Sequence, residues 1–262
     1  MLRHSFLTSV CGFFLLGLLS AAADAATMTY GEAINKAGRQ RMLSQRIVKS
    51  YCQMGQDIRF LVAKKQRKGA IALFDKQLAE LKAFNKDGET RRALQLTEKL
   101  WLPVKRAAMG KPTKISAKKL RANAEKLLVS AHQVVLLLED QAGTNQGRLV
   151  NIAGRQRMLS QRMGNLYMLQ SWGYEDEIYK ADYDKAVGEF EDALGELKGA
   201  NENTPEISRA LKEAGQFWDM FKLSSRMDPG QFVPGLVARM LDKLLVKMND
   251  ITGMYAALPA AK

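Results

Sequence analysis

Ten consecutive residues of this chain occur twice, letter for letter. Residues 37–46 read AGRQRMLSQR, and residues 153–162, 116 positions further on, read AGRQRMLSQR again. The flanks have diverged: Ile34-Asn35-Lys36 stands against Val150-Asn151-Ile152, and Ile47-Val48-Lys49 against Met163-Gly164-Asn165. Hydrophobic cores accept apolar exchanges of similar volume. An identical decapeptide between flanks that keep only their hydrophobic pattern therefore points to a constraint beyond packing. The correspondence continues past it. Phe74, Leu78, Leu81, Lys82 and Asn85 match Phe190, Leu194, Leu197, Lys198 and Asn201 at the same offset, whereas Trp101 and Lys105 match Trp218 and Lys222, and KLLV at 126–129 matches 243–246, at an offset of 117. A chain repeated in this way has to fold as two equivalent halves.

Wound as a helix at about 100° per residue, the first copy puts Leu43, Ile47, Met54, Ile58 and Leu61 on one stripe, by which it enters its own bundle. Roughly opposite lie Ile34, Arg41, Val48 and Cys52, with Gly38, Ser44 and Gln45 beside Arg41. The matching stripe of the second copy is Val150, Arg157, Gly164 and Met168, flanked by Gly154, Ser160 and Gln161. A helix with two apolar faces is enclosed on both sides, and the simplest partner for copy one is copy two, related by a pseudo-twofold axis as in a homodimer whose subunits have been fused.

That pairing brings Arg41 and Arg157 together in partly dry surroundings, where unpaired charge is heavily penalised. An oxyanion between them removes the conflict, since the guanidinium fork matches planar and tetrahedral oxyanions and stays charged at any working pH. Gly38 and Gly154, about one turn earlier, allow close backbone approach. The candidate ligand-binding residues are thus Gly38, Arg41, Gly154 and Arg157, with Ser44, Gln45, Arg46, Ser160, Gln161 and Arg162 around them. The alternative is that each arginine pairs with a carboxylate from a neighbouring helix. Arg39 and Arg46 share a stripe bordering the core, as do Arg155 and Arg162; interhelical ion pairs are their expected role, tuning of the field around a ligand the other.

The stretch Ile34-Asn35-Lys36-Ala37-Gly38 through Arg41-Met42, then Ser44 and Arg46, resembles the P-box of NarX-type nitrate and nitrite sensor kinases and of PilJ-type periplasmic domains of chemotaxis transducers. That resemblance implies a four-helix bundle with the motif on its first helix and an anion held at the axis by one arginine and nearby backbone from each half. By similarity these residues are Gly38, Arg41, Gly154 and Arg157, and nitrate or nitrite is the implied ligand. Arg39, Gln40, Leu43 and Gln45 depart from the nitrate sensors. The chain also ends without a kinase or methyl-accepting region, so the expected readout is docking on an envelope signalling protein, or simple carriage of the anion.

Residues 1–25 read as a secretory signal: Arg3 and His4, an apolar run over 6–19, and Ala23-Asp24-Ala25 as the cleavage site, with an uncleaved anchor as the alternative. No later stretch approaches the ~20 apolar residues of a membrane span. The formal charge of +13 favours anions, acidic protein surfaces or phosphate-rich membrane faces. Export to the periplasm argues against a nucleic-acid role. Cys52 is the one cysteine beyond the signal, which excludes an intramolecular disulfide and makes it a buried small hydrophobe. His132 is the one histidine there, so ligand sets for zinc, haem or di-iron have no basis and no cofactor is expected. It reads as a core or surface residue. No nucleophile-and-base pair and no phosphate loop is visible, which argues against an enzyme.

Helical patterns are expected over 29–65, 69–85, 90–109 with a kink at Pro103, and from Ser116 as N-cap to Ala142; 143–147 form a turn. Thr204-Pro205 opens one later helix and Asp228-Pro229-Gly230 precedes another. The expectation is an all-α chain of two tandem up-and-down four-helix bundles, 26–142 and 143–262, binding a small oxyanion between paired motif helices. The competing reading is a non-enzymatic interaction module docking on an acidic envelope partner, with the repeated motif as a helix-pairing seam.

Overall fold

The structure, a computed structural model, describes residues 28–84, 87–224 and 232–259. The signal-like segment and Asp228-Pro229-Gly230 lie outside these. The described residues form eight helices and no strand: α1 (Tyr30–Gly55), α2 (Phe60–Phe84), α3 (Gly88–Met109), α4 (Lys114–Ala142), α5 (Asn145–Ser171), α6 (Glu177–Lys198), α7 (Pro205–Ser224) and α8 (Pro234–Ala257). Helices α1 to α4 close one four-helix bundle and α5 to α8 another, and the two share their longest contact along α1 and α5.

Local chemistry sets the boundaries. Thr29 caps α1 in a reciprocal box with Glu32, and Thr113 does the same for α4 with Ser116. Ser116, expected as the cap itself, is instead the third helical residue. Gly143, left-handed at φ 58°, ends α4, and Thr144 immediately caps α5. The bundles are therefore joined by two residues rather than five. The Thr204 hydroxyl accepts from Ile207 N as α7 begins at Pro205. Helix α3 runs unbroken through Pro103.

The expected first helix over 29–65 is divided. Helix α1 ends at Gly55, where the Trp172 ring leaves no room for a side chain: a methyl there would come 2.1 Å from Trp172 Cη2. The chain then reverses through Asp57 and Arg59, both at positive φ (57° and 49°), and restarts at Phe60. Periodicity alone could not show this break, since Ile58 and Leu61 continue the apolar spacing; Leu61 is in fact exposed.

Helix α1 buries 19 of its 26 residues, against 6 of 25 in α2, and is thus enclosed except along a stripe of Glu32, Lys36, Arg39 and Arg46. It touches α2 and α4 of its own half and α5 across the seam; α5 likewise touches α6, α8 and α1. The outer helices repeat one anchoring device. The Phe74 ring stacks on Trp101 with centroids 4.0 Å apart, and Phe190 stacks on Trp218 at 4.3 Å. Trp101 Nε1 and Lys105 both donate to Asp75, as Trp218 Nε1 and Lys222 do to Glu191. Gln40 Nε2 donates to the Phe74 carbonyl and Gln156 Nε2 to that of Phe190, tying each motif helix to its neighbour.

Trp218→Ala removes a buried ring and its stacking partner's support, and is expected to lower unfolding free energy by about 3–5 kcal/mol, read in guanidinium denaturation.

Candidate functional site

Where α1 and α5 cross, the two glycines let the backbones approach closely. An added Cβ on Gly38 would lie 3.9 Å from Gly154 Cα, 3.3 Å from Arg41 Nη2 and 3.4 Å from Arg157 Nη2; one on Gly154 would lie 3.1 Å from Arg157 Nη2 and 3.6 Å from Arg41 Nη2. The inner nitrogens of both guanidiniums therefore converge on the paired glycines. Arg41 is 1% exposed and Arg157 fully buried.

The acceptors are neutral. Arg41 donates through Nη2 to the Asn151 carbonyl (3.2 Å) and through Nη1 to His132 Nδ1 (3.0 Å). Arg157 donates through Nη2 to the Asn35 carbonyl (3.1 Å), and through Nη1 to Asn35 Oδ1 (2.8 Å) and Asn249 Oδ1 (3.2 Å). Each arginine thus reaches across the seam to the asparagine preceding the other copy of the motif, and back to the fourth helix of its own half. Neither makes an ion pair among the described residues, so pairing with a neighbouring carboxylate is not the arrangement adopted. Glu139 acts on Arg41 only from beyond ion-pair distance, and is itself bound by Asn151 Nδ2. Among the described residues, both Nε–H groups and one Nη2 hydrogen of each arginine have no protein acceptor.

The electrostatic consequence is a pair of strained cations. Burial, with the Arg155 charge adding to it, brings Arg41 down to about 9; burial, Arg39 and Arg41 depress Arg157. Since guanidinium keeps its proton at neutral pH, the strain is borne as lost stability. Because a guanidinium has only donors, His132 must accept at Nδ1 and carry its proton on Nε2.

The surrounding motif residues divide by role. Ser44 and Ser160 donate to the carbonyls of Arg41 and Arg157 and so brace the backbone beneath them. Gln45 bridges Glu125 and Asn165 across the seam, while Gln161 reaches Ser160. Arg162 pairs with Glu125 and Asp182, and Arg155 with Glu189, as expected of interhelical ion pairs. Arg39 departs from that expectation, donating to neutral Asn249 at 3.0 Å. Arg46 lies in the field of Asp242 without a direct bond to it. Cys52 is a free, buried thiol that burial pushes up to about 12.

Sequence reasoning missed Asn35, Asn151, His132 and Asn249. The first two carried a signal, being the one residue retained in the flanking triplets. His132 and Asn249 carried none, since they occupy equivalent places on α4 and α8 but differ in type.

Two helical bundles in tandem, joined through motif helices that bury a like-charge pair, define an all-helical tandem module. The family model for the N-terminal region of type IV pili methyl-accepting chemotaxis transducers, PilJ, matches residues 29–133 and 141–221, one segment in each bundle. The chain belongs to this family, as two tandem copies of its domain. Neither a search of curated proteins nor one of solved structures returned a match.

Burial, reinforced by Arg41 and Arg155, holds the His132 imidazole down from 6.5 to about 4. The folded state then binds fewer protons there than the unfolded chain, so this contribution to stability is complete above about 6.5 and is lost as pH falls towards about 4. His132→Asn, which supplies the carboxamide found at Asn249, is expected to lose less stability than the wild type between these pH values in urea titrations.

Proposed function

We propose that the chain is a periplasmic sensing module that holds a small inorganic oxyanion at the crossing of α1 and α5, with nitrate or nitrite the ligand favoured by the P-box resemblance. The observation that carries this reading is the pair of buried guanidiniums bonded only to neutral acceptors over Gly38 and Gly154. A monoanion that accepts the remaining Nε–H and Nη2–H donors offsets the mutual repulsion with charge-assisted bonds. A pseudo-twofold relation of residues 26–142 to 143–262 follows naturally, because the two copies supply the same residues to one anion. The periplasmic assignment draws on the signal-like residues 1–25 and on the family; among the described residues no helix is long and apolar enough to cross a membrane.

The mechanism is a population shift. Without anion the two arginines oppose close approach of α1 and α5, and with it they favour that approach, so occupancy biases the relative position of the motif helices. The outer helices follow rigidly, because Gln40 and Gln156 tie the motif helices to the stacked Phe-Trp anchors. That displacement is what an envelope signalling partner would read. No step of bond making or breaking is involved.

Thermal unfolding of the exported chain with nitrate, nitrite, chloride and sulfate tests this. A ligand present at about 100 times its Kd is expected to stabilise the wild type by about 2.7 kcal/mol. Arg41→Met and Arg157→Met should show no such gain, and their anion-free stability should change little, since relief of repulsion offsets the lost hydrogen bonds. An equal response in all three proteins would leave the crossing as a helix-pairing seam.

A further inference from the structure

A cleft of about 220 Å³ opens between α4, α5 and α6, on one side of the crossing, with Arg41 and His132 at its inner end. A cavity of about 150 Å³ holds benzene, so the cleft has room for an organic ion larger than a planar four-atom one. One wall is apolar, made by Leu128, Met158 and Ala186, all buried.

The charges around this cleft do not cancel. Arg155 is matched by Glu189, and Arg162 by Glu125 and Asp182, the last also holding Arg121. Arg41 and Lys185 remain without an ion pair among the described residues, one fully buried and the other exposed. His132 adds a neutral donor: with Nδ1 committed to Arg41, its Nε2–H meets no acceptor among the described residues. The cleft thus combines a buried cation and a donor at one end, an aliphatic wall, and a free cation on α6.

We propose that this cleft is a second ligand site, distinct from the crossing, for a small organic dicarboxylate. One carboxylate accepts from His132 Nε2–H in the field of Arg41, the aliphatic body lies on Leu128, Met158 and Ala186, and the other carboxylate pairs with Lys185. Arg157 does not line the cleft, so of the two crossing arginines Arg41 alone faces both sites. A ligand here acts on the arginine that the crossing also uses, which makes the second site able to modulate the first.

Calorimetric titration of the whole exported chain with succinate, and separately with nitrate, tests the assignment. Succinate is expected to bind the wild type. Lys185→Glu should weaken succinate by about fivefold to tenfold while leaving nitrate unchanged, and Lys185→Arg should restore it. Arg157→Met should leave succinate within about twofold of wild type. Should that variant not fold, Gly154→Ala, which crowds Arg157 Nη2, takes its place. Absence of succinate binding to the wild type, or succinate binding lost with Arg157→Met and indifferent to Lys185→Glu, overturns the second site. Normal succinate behaviour with no response to nitrate overturns nitrate as the ligand of the crossing and leaves the cleft standing.

Discussion

Two positive charges held together out of water govern the architecture. Unpaired charge in a protein interior costs several kcal/mol even after relaxation, on the order of a large fraction of a domain's total stability. The surroundings of Arg41 and Arg157 are organised to keep that cost tolerable without neutralising it. Each guanidinium receives dipoles, from the carbonyls of Asn35 and Asn151, from Asn249 and from the lone pair of His132, and none receives a carboxylate. Dipoles orient and partly stabilise a cation while leaving its charge uncompensated. A carboxylate would have satisfied it permanently.

The same requirement explains why the decapeptide is retained whole. Glycine is needed because the motif helices approach within side-chain distance, glutamine because it ties each helix to the Phe-Trp anchor, and serine because it braces the carbonyl under the arginine. The small and apolar members, Ala37, Met42 and Leu43 with Ala153, Met158 and Leu159, fill the core on the remaining faces. Eight of the ten positions are buried in both copies, which leaves little room for drift; Arg39 and Arg46, with Arg155 and Arg162, are only partly buried and meet different partners in the two halves.

Just beyond the motif the halves part company, and they do so in a coupled way. Lys49 is fully buried and pairs with Asp242 at 2.5 Å, joined there by Gln66 and Arg59. Its aliphatic stem passes Gly164, where a methyl would sit 2.6 Å from Lys49 Cδ. The second half has Asn165 in the place of Lys49, and that residue binds Gln45 instead. A lysine on one side, a glycine opposite and a carboxylate on α8 form one compensated set. His132 against Asn249 is a further difference, and it gives the two halves different chemistry around a shared crossing.

The amino-acid order by itself determined the helical class, the duplication, the enclosure of the motif helices and the two arginines as their distinctive charge, because helical periodicity, repeat spacing and residue chemistry are local or one-dimensional properties. Asn35 and Asn151 were within its reach, as a residue retained in otherwise altered flanks. The break after Gly55 was not, since the turn through Asp57 and Arg59, both at positive φ, interrupts an apolar spacing that runs straight through it. Nor was the choice between a carboxylate and neutral dipoles for Arg41 and Arg157. That choice turns on which rotamers four packed helices allow and on which face of α4 His132 falls, and distances of about 3 Å between residues some 90 to 120 positions apart exist only once the chain has closed.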